Sequence, residues 1–443
     1  MQNSTHLRIT FAVELLLLAA SFPILYFPRF FPSWALGCGF ILLVAGWGWR
    51  RWRLGFWRVT TPIDWPLFIL FCVLLPMSVW AAPEVLRQQY SWPRAYILVW
   101  NFCLFWVVVV YSSLHWEFFR LCIIGFMGAG TAIALAAPLG TNWLYKFALL
   151  DPILRRIPSP LIGVFNGADS GFHPNQVAGT LLYVLPLMIA LTVGLFFQQR
   201  QRTLSTWMLV IATGIVLLVF FTTQSRGGFL GLAVGVLVMG LLPSKLGRLV
   251  LITMVVLIAI SLPFLPGSVW NAISDAPPVE ALGGTGTLGF RQEVWGAAIQ
   301  GIYDFPFTGM GLGTFRQVVR LLYPMSILPS YDIGHAHNFF FQAALDFGVG
   351  GMIAIFAVYL LAVFCLFGSM YHSIGKGTAT AKLAQMKLGI GLLASLIGQL
   401  FYSQLDTVAM GAKTNFMFWG VLGMSFSISQ FQRLIETKNT KTL

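Results

Sequence analysis

Long apolar runs follow one another along nearly the whole chain, separated by mostly short polar links. By the span rule, about twelve of them, each of roughly 16–22 residues, are long enough to cross hydrocarbon. In the first half they occupy residues 9–27, 34–49, 63–81, 95–112, 118–138 and 176–197. The second half continues with 207–223, 227–242, 248–265, 347–367, 388–404 and 414–431. The runs are uniformly apolar rather than alternating, and lipid offers no partner for backbone N–H and C=O groups. The pattern therefore predicts helices, not barrel strands. The expected fold is all-α, a polytopic integral membrane protein of about 12 transmembrane helices.

Two polar links are too long to be turns. The first, residues 139–175, holds Pro152, Pro158, Pro160, the pair Arg155-Arg156 and the run Gly171-Phe172-His173-Pro174-Asn175. The second, residues 266–346, runs to about eighty residues, and a connection of that length points to function or disorder. Order is predicted here. Val294, Trp295, Ala298 and Ile302 recur at helical spacing in a stretch from Arg291 to Ile302, and a second candidate covers residues 314–322. A third short helix is expected to start at Asn338, whose side chain can cap it, and to stop near Gly348. The organisation read from this is helices 1–9 in residues 1–265 with an external loop at 139–175. An external helical segment at 266–346, between helices 9 and 10, follows it, then helices 10–12 and a tail in 347–443.

Composition agrees with the pattern: 58% of residues are hydrophobic and 9% charged, outside the soluble range. Charge adds orientation. Arg50, Arg51, Arg53, Arg58, Arg200, Arg202, Lys245, Arg248, Lys376, Lys382, Lys387 and the tail residues Arg433, Lys438 and Lys441 fall on one set of links. The opposite links mix signs, as in Glu84 with Arg87, or Asp275, Glu280 and Asp304 with Arg291. The positive-inside rule then puts both termini in the cytoplasm and the 266–346 segment outside. Most of the net charge of +13 is this topological signal, so no nucleic-acid partner is implied. Cys38, Cys72, Cys103, Cys122 and Cys365 all lie in predicted spans, where they act as small apolar residues. The first span ends in Phe22-Pro23 and Tyr26-Phe27-Pro28 without a small-residue cleavage site, and is read as an uncleaved anchor. Within it Glu14 stands alone, with no obvious ionisable partner in neighbouring spans, so structural and functional readings weigh evenly.

Three constellations carry chemistry. Ser225-Arg226-Gly227-Gly228 forms the turn between the seventh and eighth spans. Ser225 is a plausible N-cap, and the first N–H groups of the eighth helix together with the Arg226 guanidinium make an anion site. The bland reading is an interfacial Arg snorkelling to lipid phosphates. Thr285-Gly286-Thr287-Leu288-Gly289-Phe290-Arg291 offers a second guanidinium able to form bidentate bonds to phosphate. Its alternative is a surface Arg291 paired with Glu293 or Asp304. No Gly-Lys-Ser/Thr ending makes it a P-loop, and Gly309, Gly311 and Gly313 follow no predicted strand.

The third constellation is His335-Ala336-His337-Asn338. Two histidines one residue apart could ligate a metal, but the segment offers no Cys and no paired carboxylates beyond Asp332, so no metal and no cofactor are expected. A single imidazole acting as general base, with the other structural, fits better, and His337 beside the helix start is better fixed than His335. The bland alternative is two solvent-exposed loop histidines. His173-Pro174-Asn175 reads first as a helix start with Asn175 capping, and second as a substrate contact. Asp346 and Asp406 fall at external span ends, where a carboxylate can orient Arg or His.

These motifs, with Arg291 four residues before Trp295, the phrase Gly309-Met310-Gly311-Leu312-Gly313-Thr314-Phe315, and Phe339 and Gly348 after the histidines, resemble the O-antigen ligase and polymerase superfamily. The resemblance implies a metal-independent transfer of glycan from an undecaprenyl-diphosphate-linked donor to an acceptor hydroxyl at the periplasmic face of the bacterial inner membrane. It implies that Arg226 and Arg291 bind the diphosphate and that His337 deprotonates or orients the acceptor, with His335, Asn338, Ser225 and His173 in support. The implied partners are the donor, a lipid A core or other glycan acceptor, and the bilayer. Ligase is the preferred member, because the long segment lies late and no large domain follows the last span. Polymerases and protein glycosyltransferases share the same pattern, and a solute or anion transporter is the alternative from another class.

Overall fold

The structure, a computed structural model, describes residues 4–143, 150–163, 172–198, 203–241, 288–329, 331–373 and 379–440. Among these the chain is helical and has no strand, with one isolated backbone bridge between Thr141 and Phe172. In chain order the main helices are α1 (Ser4–Tyr26), α2 (Ser33–Leu54), α3 (Asp64–Ala81), α4 (Glu84–Leu114), α5 (Trp116–Gly140), α6 (Pro174–Leu182) and α7 (Leu185–Gln198). There follow α8 (Leu204–Thr222), α9 (Arg226–Leu241), α10 (Leu288–Asp304), α11 (Phe315–Leu322), α12 (Phe339–Ser373), α13 (Ala379–Tyr402) and α14 (Phe416–Thr440). The predicted run 248–265 lies outside the described residues, as does Thr285-Gly286-Thr287. Every other predicted run coincides with helix.

Among the described residues six helices are long and apolar enough to cross a membrane, or seven if α6 and α7, bent by 46° at their junction, form one span. The sixth predicted run is thus a broken helix, interrupted at Tyr183–Val184 ahead of Pro186. Of the other helices under predicted runs, α2 ends in Arg51 and Arg53, α9 has only 16 residues, and α13 and α14 carry lysines or arginines toward one end. Large exposed apolar side chains such as Leu16, Trp34, Val44, Trp65, Ile124 and Leu218 clothe the helices, as lipid contact requires. The chain is a multi-pass membrane protein.

Helix α1 shows how the pattern becomes packing. Thr10, Glu14, Leu18, Ser21 and Leu25 recur at intervals of three and four residues and are buried, while Leu15 and Leu16 are exposed. Glu14 is not alone: it is 2% exposed and pairs with Arg50 of α2, itself 0% exposed. Arg50 Nε donates to Glu14 Oε2 at 2.9 Å, its second nitrogen donates to Oε1, and Tyr111 Oη of α4 donates to Oε2 at 2.8 Å. The expectation of an isolated carboxylate fails because Arg50, which the charge pattern assigns to a cytoplasmic link, is part of the bundle. It lies instead in the last turns of α2 and points back into the bundle.

Helices α9 and α13 approach closely enough that a Cβ on Gly231 would sit 2.7 Å from the Gly398 carbonyl oxygen, and one on Gly398 would sit 2.6 Å from that of Gly231. Small residues at both crossings let the backbones meet, the usual means of helix association in lipid. The consequence is positional. The start of α9 is pressed against the end of α13, where Gly227 faces Tyr402 and Leu405.

Residues 288–346 form a small helical unit with a core of its own, built from Phe290, Val294, Ala298, Met310, Phe315 and Val319. Val294 and Ala298 are buried and Trp295 and Ile302 half-buried, as the helical spacing predicts. The loop between α10 and α11 pins this unit to the bundle. Leu312 N donates to Ser78 O at 3.2 Å and Ser91 Oγ donates to Leu312 O at 2.8 Å, while within the unit Met310 N donates to Leu345 O at 2.7 Å. Helix α12 begins at Phe339 and kinks at Gly348, where φ is 75° and ψ 178°. Only glycine adopts that backbone readily, and a Cβ there would also strike the Phe307 carbonyl at 2.4 Å.

Candidate functional site

The histidine segment enters the site along an extended, hydrogen-bonded path. Ala336 N donates to Gln342 Oε1 at 2.9 Å, His337 N to His335 Nδ1 at 3.2 Å, and Phe339 N to Ser403 O at 2.8 Å. Asn338 Oδ1 accepts from the N–H groups of Phe340 and Phe341 at 3.0 and 3.1 Å, so it caps α12 as its sequence position predicts. Between these anchors His337 has φ 50°, a left-handed conformation that costs a residue bearing a Cβ on the order of 1–2 kcal/mol. Such strain persists only where surrounding contacts over-determine it.

Asp406, in the turn after α13, meets both imidazoles. Its Oδ1 lies 3.4 Å from His335 Nε2 and 3.5 Å from His337 Nδ1. The carboxylate also accepts from Asn175 Nδ2 at 2.7 Å and from Thr407 N at 2.8 Å. Burial pushes this acid up, but His337 and the neighbouring His335 and His173 outweigh it and hold it well below the usual carboxylate range. For His335 burial dominates. Together with the charge of His337 it drives the imidazole down to about 3, Asp406 opposing and His173 and Arg94 adding to the fall. His335 is therefore neutral near pH 7. Its Nδ1 accepts from His337 N, which leaves the proton on Nε2, facing Asp406.

His337 is arranged the other way round. Its Nδ1 faces Asp406, the edge of Phe290 packs against its ring at 5.6 Å, and its Nε2 has no hydrogen-bond partner among the described residues. A carboxylate behind Nδ1 fixes the tautomer that leaves Nε2 as an acceptor, the geometry a general base needs.

Arg291 and the start of the helix that Arg226 opens both lie near Tyr402. Arg291, in the first turns of α10, is half-buried and close enough for its charge to act on the phenol of Tyr402; its Nε is buried without a hydrogen-bond partner. The surface alternatives are occupied: Glu293 accepts from Ser326 Oγ at 2.8 Å and from Ile327 N at 3.1 Å, and Asp304 accepts from Tyr323 Oη at 2.6 Å. Ser225 Oγ accepts from Gly228 N at 3.2 Å and so caps α9, leaving Arg226 as its first residue, exposed and without a hydrogen-bond partner among the described residues. Through Gly227 this helix start rests on Tyr402 and Leu405.

Two readings of the sequence are corrected. At 173–175 it is His173, not Asn175, that caps α6: His173 Nδ1 accepts from Asn175 N at 3.2 Å. Asn175 is turned to Asp406 through its side chain and to Tyr402 through its carbonyl, which accepts from Tyr402 Oη at 2.6 Å. The histidines also have a carboxylate neighbour that their own segment does not supply. Asp332 pairs with Arg316, but Asp406 brings the donor atoms of His335, His337 and Asp406 within 4.8 Å of one another, a spacing a cation can bridge. Hydrogen bonds engage His335 Nδ1 and both carboxylate oxygens, while His337 Nδ1, 3.5 Å from Asp406, is buried without a hydrogen-bond partner.

Asp346 is one step removed from the histidines. Its Oδ1 accepts from Gly313 N at 2.9 Å and from Gln342 Nε2 at 3.0 Å, and Gln342 in turn holds Ala336. Gln342 and Tyr402 carry no sequence signal that separates them from ordinary helix residues, and Asn175 is visible in the sequence only through its motif with His173 and Pro174. Only the fold shows them packed around the histidines.

Among curated proteins, none matches this chain. Residues 211–356 match the family model described as O-antigen ligase, a stretch that includes Ser225, Arg226, Arg291, His335, His337 and Asn338 and leaves out Asp406. The resemblance carried by those motifs is thereby supported, and the family it points to is the O-antigen ligase superfamily.

Proposed function

We propose that this protein transfers a glycan from an undecaprenyl-diphosphate-linked donor to an acceptor hydroxyl, most simply as an O-antigen ligase acting on lipid A core. The reaction takes place at the periplasmic face of the bacterial inner membrane, with both termini cytoplasmic and about 12 spans. The observation that carries the reading is the Asp406-backed His337, whose Nε2 is unpartnered among the described residues, with Arg291 and the start of α9 both near Tyr402. His337 Nε2 takes the proton from the acceptor hydroxyl as its oxygen bonds to the anomeric carbon. The bond from that carbon to the diphosphate oxygen breaks, and its electron pair leaves with the diphosphate. Negative charge grows on phosphate oxygens, where Arg291, Arg226 and the first N–H groups of α9 act as stabilisers. A single displacement of this kind inverts the anomeric centre.

A transporter would draw on Glu14 as an intramembrane carboxylate on a path. Glu14 is instead committed to Arg50 and Tyr111, which weakens that reading. Purified protein supplied with lipid-diphosphate glycan and lipid A core is expected to form the covalent product with inverted linkage. Flux of substrate into liposomes without covalent change would replace the transferase by a transporter, and joining of donor glycans to each other would make it a polymerase.

A further inference from the structure

Arg94, the third residue of the helix Trp92–Leu114 within α4, is held in a glycine cradle beside the histidines. A Cβ on Gly313 would lie 2.5–2.6 Å from the Cδ, Nε and Cζ atoms of Arg94, so the guanidinium lies directly over that glycine. A Cβ on Gly411, in the stretch that follows Asp406, would lie 2.8 Å from Arg94 Cβ. Both glycines have positive φ, 72° and 73°. The cradle is wired to the site: Gly313 N donates to Asp346, Asp346 accepts from Gln342, and Gln342 holds the peptide between His335 and His337. A π-helical turn, Arg87–Ser91, leads into this position, and such bulges recur at functional sites. Among the described residues no hydrogen bond or ion pair within 4 Å occupies the guanidinium of the half-buried Arg94, whereas the buried Arg50 is fully engaged. A planar cation with free donors, seated on backbone stripped of side chains, is suited to binding an anionic oxygen group.

We propose that Arg94 is an anion-binding residue beside the histidine cluster, taking a phosphate or sugar carboxylate of a bound glycolipid. The inference rests on the transferase reading, and it adds a cation that lies outside the motifs of that family match. Donor diphosphate and an acidic group of the acceptor share the chemistry and are separated by measurement. Undecaprenyl diphosphate alone serves as the binding probe, in detergent-solubilised full-length protein, with KM for lipid A core measured separately during turnover. Arg94→Gln is expected to weaken one of the two by about ten- to a hundredfold, the range of a lost charge-assisted contact, with Arg94→Lys intermediate. A weakened diphosphate affinity assigns the donor; a raised acceptor KM with unchanged diphosphate affinity assigns the acceptor. If Arg94→Gln leaves both unchanged, or lowers only the thermal midpoint and kcat, the residue is a structural prop and the proposal is overturned. Wild-type protein that binds the diphosphate but forms no product would overturn the transferase reading alone, since the binding arm still tests Arg94.

Discussion

His337 Nδ1 stands 3.5 Å from Asp406 Oδ1, in a backbone conformation with positive φ that a histidine adopts only under constraint. The carboxylate faces one ring nitrogen, and the other, Nε2, has no hydrogen-bond partner among the described residues. Asparagine tolerates the left-handed region better than most residues and keeps a polar group facing Asp406, yet cannot accept the acceptor proton as an imidazole does. His337→Asn is therefore expected to fold and insert normally, with a thermal midpoint near wild type, and to lower glycan transfer by about 10²–10⁴. Transfer at the wild-type rate would remove His337 from the chemistry.

The same cluster gives a second outcome. Asp406 and the two histidines are read as an electrostatic cluster and not as ligands, so purified protein dialysed against EDTA is expected to keep its transfer activity. Loss of activity on chelation, restored by added Zn²⁺, would turn the three donor atoms gathered within 4.8 Å into a metal centre.

What the sequence discloses and what it conceals divide along a physical line. Helices are written in local hydrophobicity, so α1, α4, α5, α8 and α10 fall where the pattern predicts. Caps are local too, and Ser225 and Asn338 sit at the helix starts that their side chains suggest. Partnerships between distant helices are not local. Arg50 and Glu14, and Arg94 and Gly313, each come from separate stretches, and nothing in either member's neighbourhood names the other; Asp406 is legible as a carboxylate able to orient Arg or His, but not as the partner of His337. The Gly309-Met310-Gly311-Leu312-Gly313 phrase is visible as a motif, but its purpose is packing: its glycines let Leu345, Ala82 and Arg94 approach.

The Glu14–Arg50 pair is sealed inside the bundle, and breaking it leaves one charge without a partner. Glu14→Gln is expected to destabilise the protein by about 3–5 kcal/mol, while replacing both residues by apolar ones of similar volume restores much of the loss. Thermal unfolding in detergent, followed for the two single and one double variant, measures the coupling. Additive losses in the double variant would show that the two side chains act independently.

The depressed His335 imidazole makes the protein acid-sensitive, and the sign follows from proton counting. An unfolded histidine titrates near 6.5, whereas the folded one stays neutral until about pH 3. Between these values the unfolded chain binds more protons, so stability is present above pH 6.5 and drains away as the pH falls. Asp406, also depressed, contributes its stability above the ordinary carboxylate range and loses it only at more acidic pH, so it is silent between pH 7 and 5. Over that interval His335 accounts for a loss of about 2 kcal/mol. His335→Asn keeps an acceptor for the His337 N–H and removes the titration. Thermal midpoints taken at pH 7 and pH 5 should therefore fall less in the variant than in wild type, and equal falls would mean that the buried imidazole is already protonated or that another group governs the acid response.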